Sequence, residues 1–531
     1  MTAETISGLA PWNPPARYNF VSDQIARLAA GRPHARAMLW TDRNTVIDRS
    51  FAELAEHGAR AAAVLAAAGV KRGDTVLVLM SREIEWWELM LGLLQLGAIA
   101  APGTVQLTPK DIAYRTTAAG ATCVVASADI AARVDIALGG SAITRIHIGG
   151  ARAGWHDYSA RKSRTAALVA IADTAFDEDA LCYFTSGTTG PPKMTIHGHG
   201  YALAHTITGR HWLGLGPDDL HWNLSDTGWA KAAWSSLFAP WQMGAAIFVH
   251  HAPGFDAELA LGLLERHPIT TLCAPPTAYR MLVRADLTGR TFPALRRCVS
   301  AGEPLNPEVI DLWHAATGLE IHDGYGQTET IMLCCNRPGA ARRGAMGLPA
   351  PGLDLAVIDE AGARLPPGHE GDIALRTHQR PPGLFTGYRD DPARTASVHR
   401  DGWYLTGDRA RIDEDGFFWF VGRADDVILS SGYRIGPFEV ESALFEHPAV
   451  AESAVVSSPD ATRGEIVKAF VVLAAGHDAS EALAEELQAH VKATTAPYKY
   501  PRKIAFVDSL PKTVSGKIRR KELREAEWAS C

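Results

Sequence analysis

No CxxC pair occurs among the seven cysteines, which stand at 123, 182, 273, 298, 334, 335 and 531. That removes a zinc ribbon or a dithiol redox centre. An odd number of scattered thiols fits a reducing compartment, and a cytoplasmic location is expected. No apolar run is long enough to cross a bilayer: the longest, residues 89–101, spans about 13 positions and contains Gln95. The opening residues, MTAETISGLAPW, carry an early acid and no basic stretch leading into an apolar one, so no signal peptide is expected. No repeat of fixed period is visible, which argues against a solenoid or propeller. Positive charge is not in excess either. The 52 Lys and Arg against 59 Asp and Glu leave a net charge of −7, unlike a protein with a dominant nucleic-acid surface.

What is present is ordinary globular material: 531 residues, 47% apolar and 21% charged, long enough for three or four units of roughly 150 residues. The first half alternates short apolar runs with helical stretches. Residues 75–80, 123–126, 245–249 and 270–274 read as buried strands and residues 86–96 as a core helix, the pattern of helix-covered sheets in an α/β fold. After about residue 347 the texture changes. Residues 353–358 and 372–377 alternate, and Asp415-Gly416 joins residues 410–412 to 417–421, which reads as a small hairpin-rich β subdomain. The last hundred residues read as α+β, with strands at 454–457 and 469–473 and a helix at 481–492. Between residues 492 and 524 stand ten basic residues (492, 499, 502, 503, 512, 517, 519, 520, 521, 524) and two acids (508, 522). Such a stretch is either a solvated basic face or a site for a polyanion.

Five clusters carry chemistry. Residues 183–193, YFTSGTTGPPK, interleave hydroxyls and glycines before a lysine, so that backbone N–H groups, hydroxyls and a cation could converge on phosphate. The spacing is not that of a P-loop, because two prolines separate Gly190 from Lys193. Residues 323–330, DGYGQTET, place Thr328 for a phosphate oxygen and Glu329 for Mg2+, a cation of hard oxygen ligands. Residues 404–408, YLTGD, end in an acid suited to ribose hydroxyls. Residues 422–426, GRADD, followed by 430–434, SSGYR, form the fourth cluster, and residues 511–520, PKTVSGKIRR, the fifth, with Lys517 on a loop.

In this order and at these separations the five clusters resemble the adenylate-forming superfamily of acyl-CoA synthetases, peptide-synthetase adenylation domains and firefly luciferase. The resemblance spans residues 20–528. Residues 184–194, 225–229, 425–440 and 496–503 are most similar to the medium-chain acyl-CoA synthetases. The resemblance implies an α/β N-terminal domain of residues 1–424, with a β subdomain at 347–424, and a small mobile α+β C-terminal domain of residues 425–531 hinged at Asp425. It implies an ATP- and Mg2+-dependent reaction in which a carboxylic acid, medium-chain or aryl, becomes an acyl-adenylate and then a CoA thioester. Thr185, Ser186, Gly187, Thr188, Thr189, Gly190 and Lys193 would clamp the β- and γ-phosphates. Thr328 would hold the α-phosphate and Glu329 the Mg2+. Gly302, Glu303 and Pro304, with Asp323, Gly324, Tyr325, Gly326 and Gln327, would flank the adenine, while Asp408 and Arg423 fix the ribose. Lys517 would bridge the carboxylate and the α-phosphate. CoA would meet Gln106, Ser431, Gly432, Tyr433, Arg434, Arg463, Lys492, Tyr500, Pro501 and Arg502, which accounts for the basic tail.

The resemblance places the acyl pocket at Trp229, Ala230, Lys231, Ala232 and Ala233. The run is mostly small, so a pocket open to more than acetate is expected. Lys231 departs from the apolar residues expected there: either its stem packs and its head reaches solvent, or it meets a polar group of the substrate. His197, His199, His205 and His211 read as core or surface histidines and not as metal ligands, and Cys334-Cys335 as packing. Loading of a carrier protein, or nucleotide sensing without catalysis, are the competing functions. Neither a nucleic acid nor a membrane span is expected, and monomer and homodimer are both compatible with the sequence.

Overall fold

The computed structural model describes residues 12–164, 168–185, 192–430, 433–460, 463–513 and 517–530, with only the backbone at Arg434. Its frame is two large sheets. The first, of eight strands, has Thr75–Leu79 at its centre between Ile99–Gly103 and Ala121–Ser127, all parallel. Thr75–Leu79 and Ile99–Gly103 are buried at every position, as expected where helices cover both faces of a parallel sheet. Glu85–Leu96 is one of those covering helices, and nearly all of it is buried. It packs on Phe51–Ala67, whose start is set by a reciprocal cap: Ser50 Oγ accepts from the Glu53 N–H, and the Glu53 carboxylate from the Ser50 N–H.

The second sheet has nine strands. Leu220–Asn223, Ala246–His250, Thr271–Ala274, Arg297–Ala301 and Ile321–Gly326 run parallel through its middle. A five-stranded sheet follows, in which Trp403–Ile412 pairs antiparallel with Glu370–Arg376 and with Phe418–Arg423 across the turn at Asp415-Gly416. The chain between 347 and 424 contributes to three sheets: Leu348–Pro349 pairs with Met332–Cys335 of the nine-stranded sheet, and Gly387–Tyr388 with Lys193–Gly198 of the eight-stranded one.

Residues 424–427 lead into a separate five-stranded sheet with its own apolar core of Ile428, Val440, Leu444, Val455, Val471, Leu487 and Val491. Its two long strands, Val450–Asp460 and Gly464–Leu473, extend well beyond the short runs read from apolar pattern. The polar continuation is sheltered by the terminal helix Arg520–Ser530. There Ser458 donates to Glu527 at 2.7 Å, and Trp528 Nε1 donates to Ser457 Oγ at 3.2 Å. The six described cysteines are free and buried. Among the described residues no helix is long and apolar enough to cross a membrane.

Candidate active site

In open parallel sheets ligands bind beyond the carboxyl ends of the strands. Here both large sheets aim those ends at one cleft of about 1480 Å³. The eight-stranded sheet supplies Arg82, Gln106 and Thr185, and the nine-stranded sheet supplies Asp226, Pro275, the Ala301–Pro304 segment and the Asp323–Glu329 segment. Parallel pairing of Ala301 with Gly324 sets the last two side by side. Gly302 makes its turn at φ +107°, a conformation side chains resist. A Cβ on Gly326 would stand 2.8 Å from the Trp234 ring, so glycine lets that strand pass the indole.

Asp408 and Arg423 face each other across the antiparallel pair of the small β sheet, 3.7 Å apart. Tyr325 and Gln327 each donate to Asp408 Oδ2 at 2.6 Å. Burial raises the Asp408 carboxyl above the usual range against the pull of Arg423. Burial alone would weaken the Arg423 cation, but Asp408 and Asp425 hold it above its ordinary value. Asp323, enclosed behind Gly324, is pushed up by burial to about 7. Glu329 accepts from the Tyr388 hydroxyl at 2.8 Å, and Lys193 Nζ lies 5.1 Å from the centre of the Tyr388 ring. Burial lowers Lys193. Lys517, from the C-terminal part, lines the same cleft, and Thr513 accepts its backbone N–H at 3.1 Å.

Of the residues read from sequence, the cleft therefore gathers Thr185, Lys193, Gly302, Glu303, Pro304, Asp323 to Glu329, Asp408, Arg423 and Lys517, together with Gln106, Trp229, Ala230 and Lys231. Ser186 to Gly190, Ser431 and Gly432, and the Arg434 side chain, lie outside the described residues. Ala232 and Ala233 are a correction. They are buried in the core and do not line the cleft, because the short helix Ala230–Ala233 turns them away while Trp234 joins Ala230 and Lys231 on the open side. This stretch therefore gives the cleft two tryptophans, a lysine and only one small residue, Ala230, so small residues no longer argue for an open pocket. Lys231 does not send its head to solvent: Nζ donates to the Ala301 carbonyl, and burial lowers its pKa, with Asp323 and Glu303 opposing.

Of the described residues expected at CoA, Gln106 apart, none lines this cleft: Tyr433 begins the strand Tyr433–Ile435, Lys492 is on the helix Glu481–Thr494, and Arg463, Tyr500, Pro501 and Arg502 lie just before strands of the C-terminal sheet. Lys492 and Arg502 both face the Tyr500 ring, at 4.0 and 4.7 Å from its centre, and Tyr433 stacks on Tyr498 at 4.2 Å. The basic tail is largely neutralised. Lys499 pairs with Glu439, Lys503 with Glu527, Lys512 with Glu452, Arg519 with Glu522, Arg520 with Glu441, Lys521 with Glu525 and Arg524 with Asp426. Several of those acids come from outside the stretch that was counted, so the count overstated the open positive charge. Tyr388 was missed, a lone aromatic with no local motif around it, and Trp234 stands just past residues 229–233, the run assigned to the acyl pocket.

His197, His199, His205 and His221 are buried, and burial lowers all four: His197 and His221 to about 3, His199 to about 4, and His205 well below its ordinary value. Unfolding would let each gain a proton below pH 6.5 that the folded state refuses. Stability is then complete above pH 6.5 and is lost as pH falls toward about 4, by up to roughly 1.4 kcal/mol per pH unit per histidine. Thermal unfolding from pH 7.5 to 5 is expected to show a steep fall in Tm below 6.5; a flat Tm would refute it.

Two large, mainly parallel sheets, a buried acid–arginine pair from the small β sheet and a lysine from the C-terminal part share one cleft, that of an adenylate-forming ligase. The AMP-binding enzyme model matches residues 25–389, and the AMP-binding enzyme C-terminal domain model matches residues 439–517. "Acyl-coenzyme A synthetase ACSM3, mitochondrial" from Mus musculus is 49% identical over 535 residues, covering 97% of this chain and 92% of that one. The chain belongs to the AMP-binding enzyme family and, within it, to the AMP-forming acyl-CoA synthetases. The ACSM3 proteins of mouse, rat and human all carry the word mitochondrial in their names, which overturns the expectation of a cytoplasmic location. Among solved structures, anthranilate CoA ligase AuaEII in complex with anthranoyl-AMP superposes with a TM-score of 0.89 at 30% identity, covering 97% of this chain and 98% of that one. MatB from Rhodopseudomonas palustris, 29% identical over 96% of this chain and 99% of that one, gives 0.85 in its ATP-bound crystal and 0.77 in its apo crystal.

Proposed function

We propose that the acid is a medium-chain or aryl carboxylate and that the two half-reactions use two arrangements of the C-terminal part, residues 425–531, against residues 1–424. In the first, the carboxylate oxygen attacks the α-phosphorus, the α–β phosphoanhydride bond breaks, and pyrophosphate leaves. Lys193 offsets the charge of the outgoing phosphates and Thr185 donates a hydrogen bond to them, with Ser186, Gly187, Thr188, Thr189 and Gly190 assigned to the same phosphates. Thr328 holds an α-phosphate oxygen, Asp408 and Arg423 fix the ribose, and Lys517 stabilises charge gathering between the two anions. Glu329 fits as a single carboxylate ligand to a Mg2+ carried by ATP, since Mg2+ takes one or two carboxylates beside substrate phosphates and Tyr388 orients this one. In the second half-reaction the CoA thiolate attacks the acyl carbonyl and AMP leaves; residues 431–434, Arg463, Lys492, Tyr500, Pro501 and Arg502 would receive CoA, with Gln106.

The observation that carries the reading is Lys517 lining the same cleft as Thr328 and Asp408 while Tyr433, Lys492 and Arg502 stand outside it. That is an arrangement suited to adenylation. The better fit to the ATP-bound than to the apo crystal of MatB supports it, as does the fit to a ligase holding acyl-AMP. The test is AMP release with acetate, butyrate, hexanoate, octanoate and benzoate, with and without CoA. CoA-stimulated release with hexanoate, octanoate or benzoate above acetate is expected. Acetate preferred over the other four refutes the acid class. Stimulation only by a carrier protein, or no release at all, refutes thioester formation with CoA.

A further inference from the structure

The Gln327–Thr330 loop is held by a buried set of rings that the reaction scheme does not use. His197, on the strand Lys193–Gly198, places Nε2 2.6 Å from the Thr328 carbonyl. A carbonyl only accepts, so Nε2 carries the proton and donates, and Nδ1 has no partner among the described residues. Burial keeps this ring neutral, which makes the donor tautomer permanent across the working pH range. The ring stacks on Tyr201 with centroids 3.8 Å apart. The Tyr201 hydroxyl in turn donates to the Thr330 carbonyl at 3.3 Å and accepts from Trp234 Nε1. Trp234 is also a wall of the cleft. The loop closes on itself through the Gln327 N–H and Thr330 Oγ1, 3.0 Å apart.

We propose that His197 and Tyr201 are positioning residues, which fix the carbonyls of Thr328 and Thr330 and thereby the Thr328 hydroxyl and Glu329 carboxylate, and that Trp234 ties the acyl-pocket wall to the same loop. Two carbonyls gripped on either side of Glu329 leave that segment little freedom to tilt. Both donors are neutral, so the grip adds no charge beside the phosphates. Because an indole of the cleft wall shares a hydrogen bond with the hydroxyl that grips the loop, an acid wrongly seated against that wall would disturb phosphate placement as well. The inference rests on the reading of Thr328 and Glu329 given above.

The test compares His197→Leu, His197→Gln, Tyr201→Phe and Trp234→Phe in the full-length enzyme. Adenylation is read by acid-dependent pyrophosphate exchange, thioester formation from supplied acyl-AMP, and folding from Tm. His197→Leu is expected to lower kcat for adenylation about tenfold or more, because misplaced groups lose orientation, with KM for the acid within about twofold. Thioester formation from acyl-AMP should stay within about threefold of wild type, and Gln, whose amide N–H can reach the same carbonyl, should restore most of the loss. Tyr201→Phe keeps the stacked ring and should lose adenylation by several-fold, and Trp234→Phe should change KM for the acid and kcat for adenylation together. The proposal is overturned if His197→Leu and Tyr201→Phe adenylate like wild type. It is equally overturned if both half-reactions fall in step with Tm and Gln gives no rescue; a Trp234→Phe effect on acid KM alone overturns the link to the pocket. Wild-type enzyme that exchanges no pyrophosphate with any acid would instead refute the functional reading itself.

Discussion

Lys517→Ala is expected to slow formation of the acyl-adenylate by on the order of 10²-fold or more, while thioester formation from supplied acyl-AMP stays near the wild-type rate. The first half-reaction brings a carboxylate against a triphosphate, so charge must be offset where the new bond forms. Lys193 stands over the Tyr388 ring, and Lys231 is committed to the Ala301 carbonyl. Lys517 comes to the cleft from the C-terminal part, its backbone braced by the Thr513 hydroxyl and by the Thr513 N–H donating to the Lys517 carbonyl at 2.7 Å. Removing the ammonium leaves that brace intact. The second half-reaction needs no such bridge, because pyrophosphate has gone and the attacking group is a thiolate. Pyrophosphate exchange and a separate acyl-AMP assay measure the two steps; equal loss in both would sink the assignment.

Asp425→Pro is expected to reduce the second half-reaction by on the order of 10²-fold while adenylation falls far less, since a hinge must absorb backbone rotation. Asp425 sits where the chain leaves the small β sheet. Its carboxylate accepts from Arg423 Nε at 3.1 Å, and its carbonyl accepts from Arg524 of the terminal helix at 2.7 Å. One residue is thus held from both sides of the junction. The Asp426 N–H donates to the Arg423 carbonyl at 3.1 Å, which makes residues 423–426 a tight turn with Asp425 third. Proline there locks φ, and it also strains the preceding residue of such a turn, so a modest loss of adenylation accompanies the main effect. Single-turnover measurements of each step decide it; a parallel fall of the two would mean that the junction is only structural.

The five clusters were legible because each is a short continuous segment whose chemistry shows in its own residue types. Residues 183–185 and 323–326 end strands of the two large sheets, Asp408 and Arg423 face each other across an antiparallel pair, and Lys517 comes from the C-terminal part, so three different arrangements bring them to one cleft, while Tyr433 stays outside it. The Ala230–Ala233 run failed for the opposite reason. A string of small residues says nothing about facing, and helical period put Ala232 and Ala233 in the core and Trp234 on the wall. The basic tail misled because charge was counted along the chain, whereas Glu439, Glu441, Glu452 and Asp426 reach it through space.

Local chemistry, then, is enough to place this chain among adenylate-forming ligases and to name many of the residues that line its cleft. The six described thiols are buried and free. Which side chains brace those cleft residues is a different kind of fact. His197 meets Thr328 across 131 positions, Tyr388 meets Glu329 across 59, and Trp234 meets Tyr201 across 33. Hydrogen bonds between distant segments depend on sheet order and helix facing, which emerge when the cores pack and leave no trace in residue spacing.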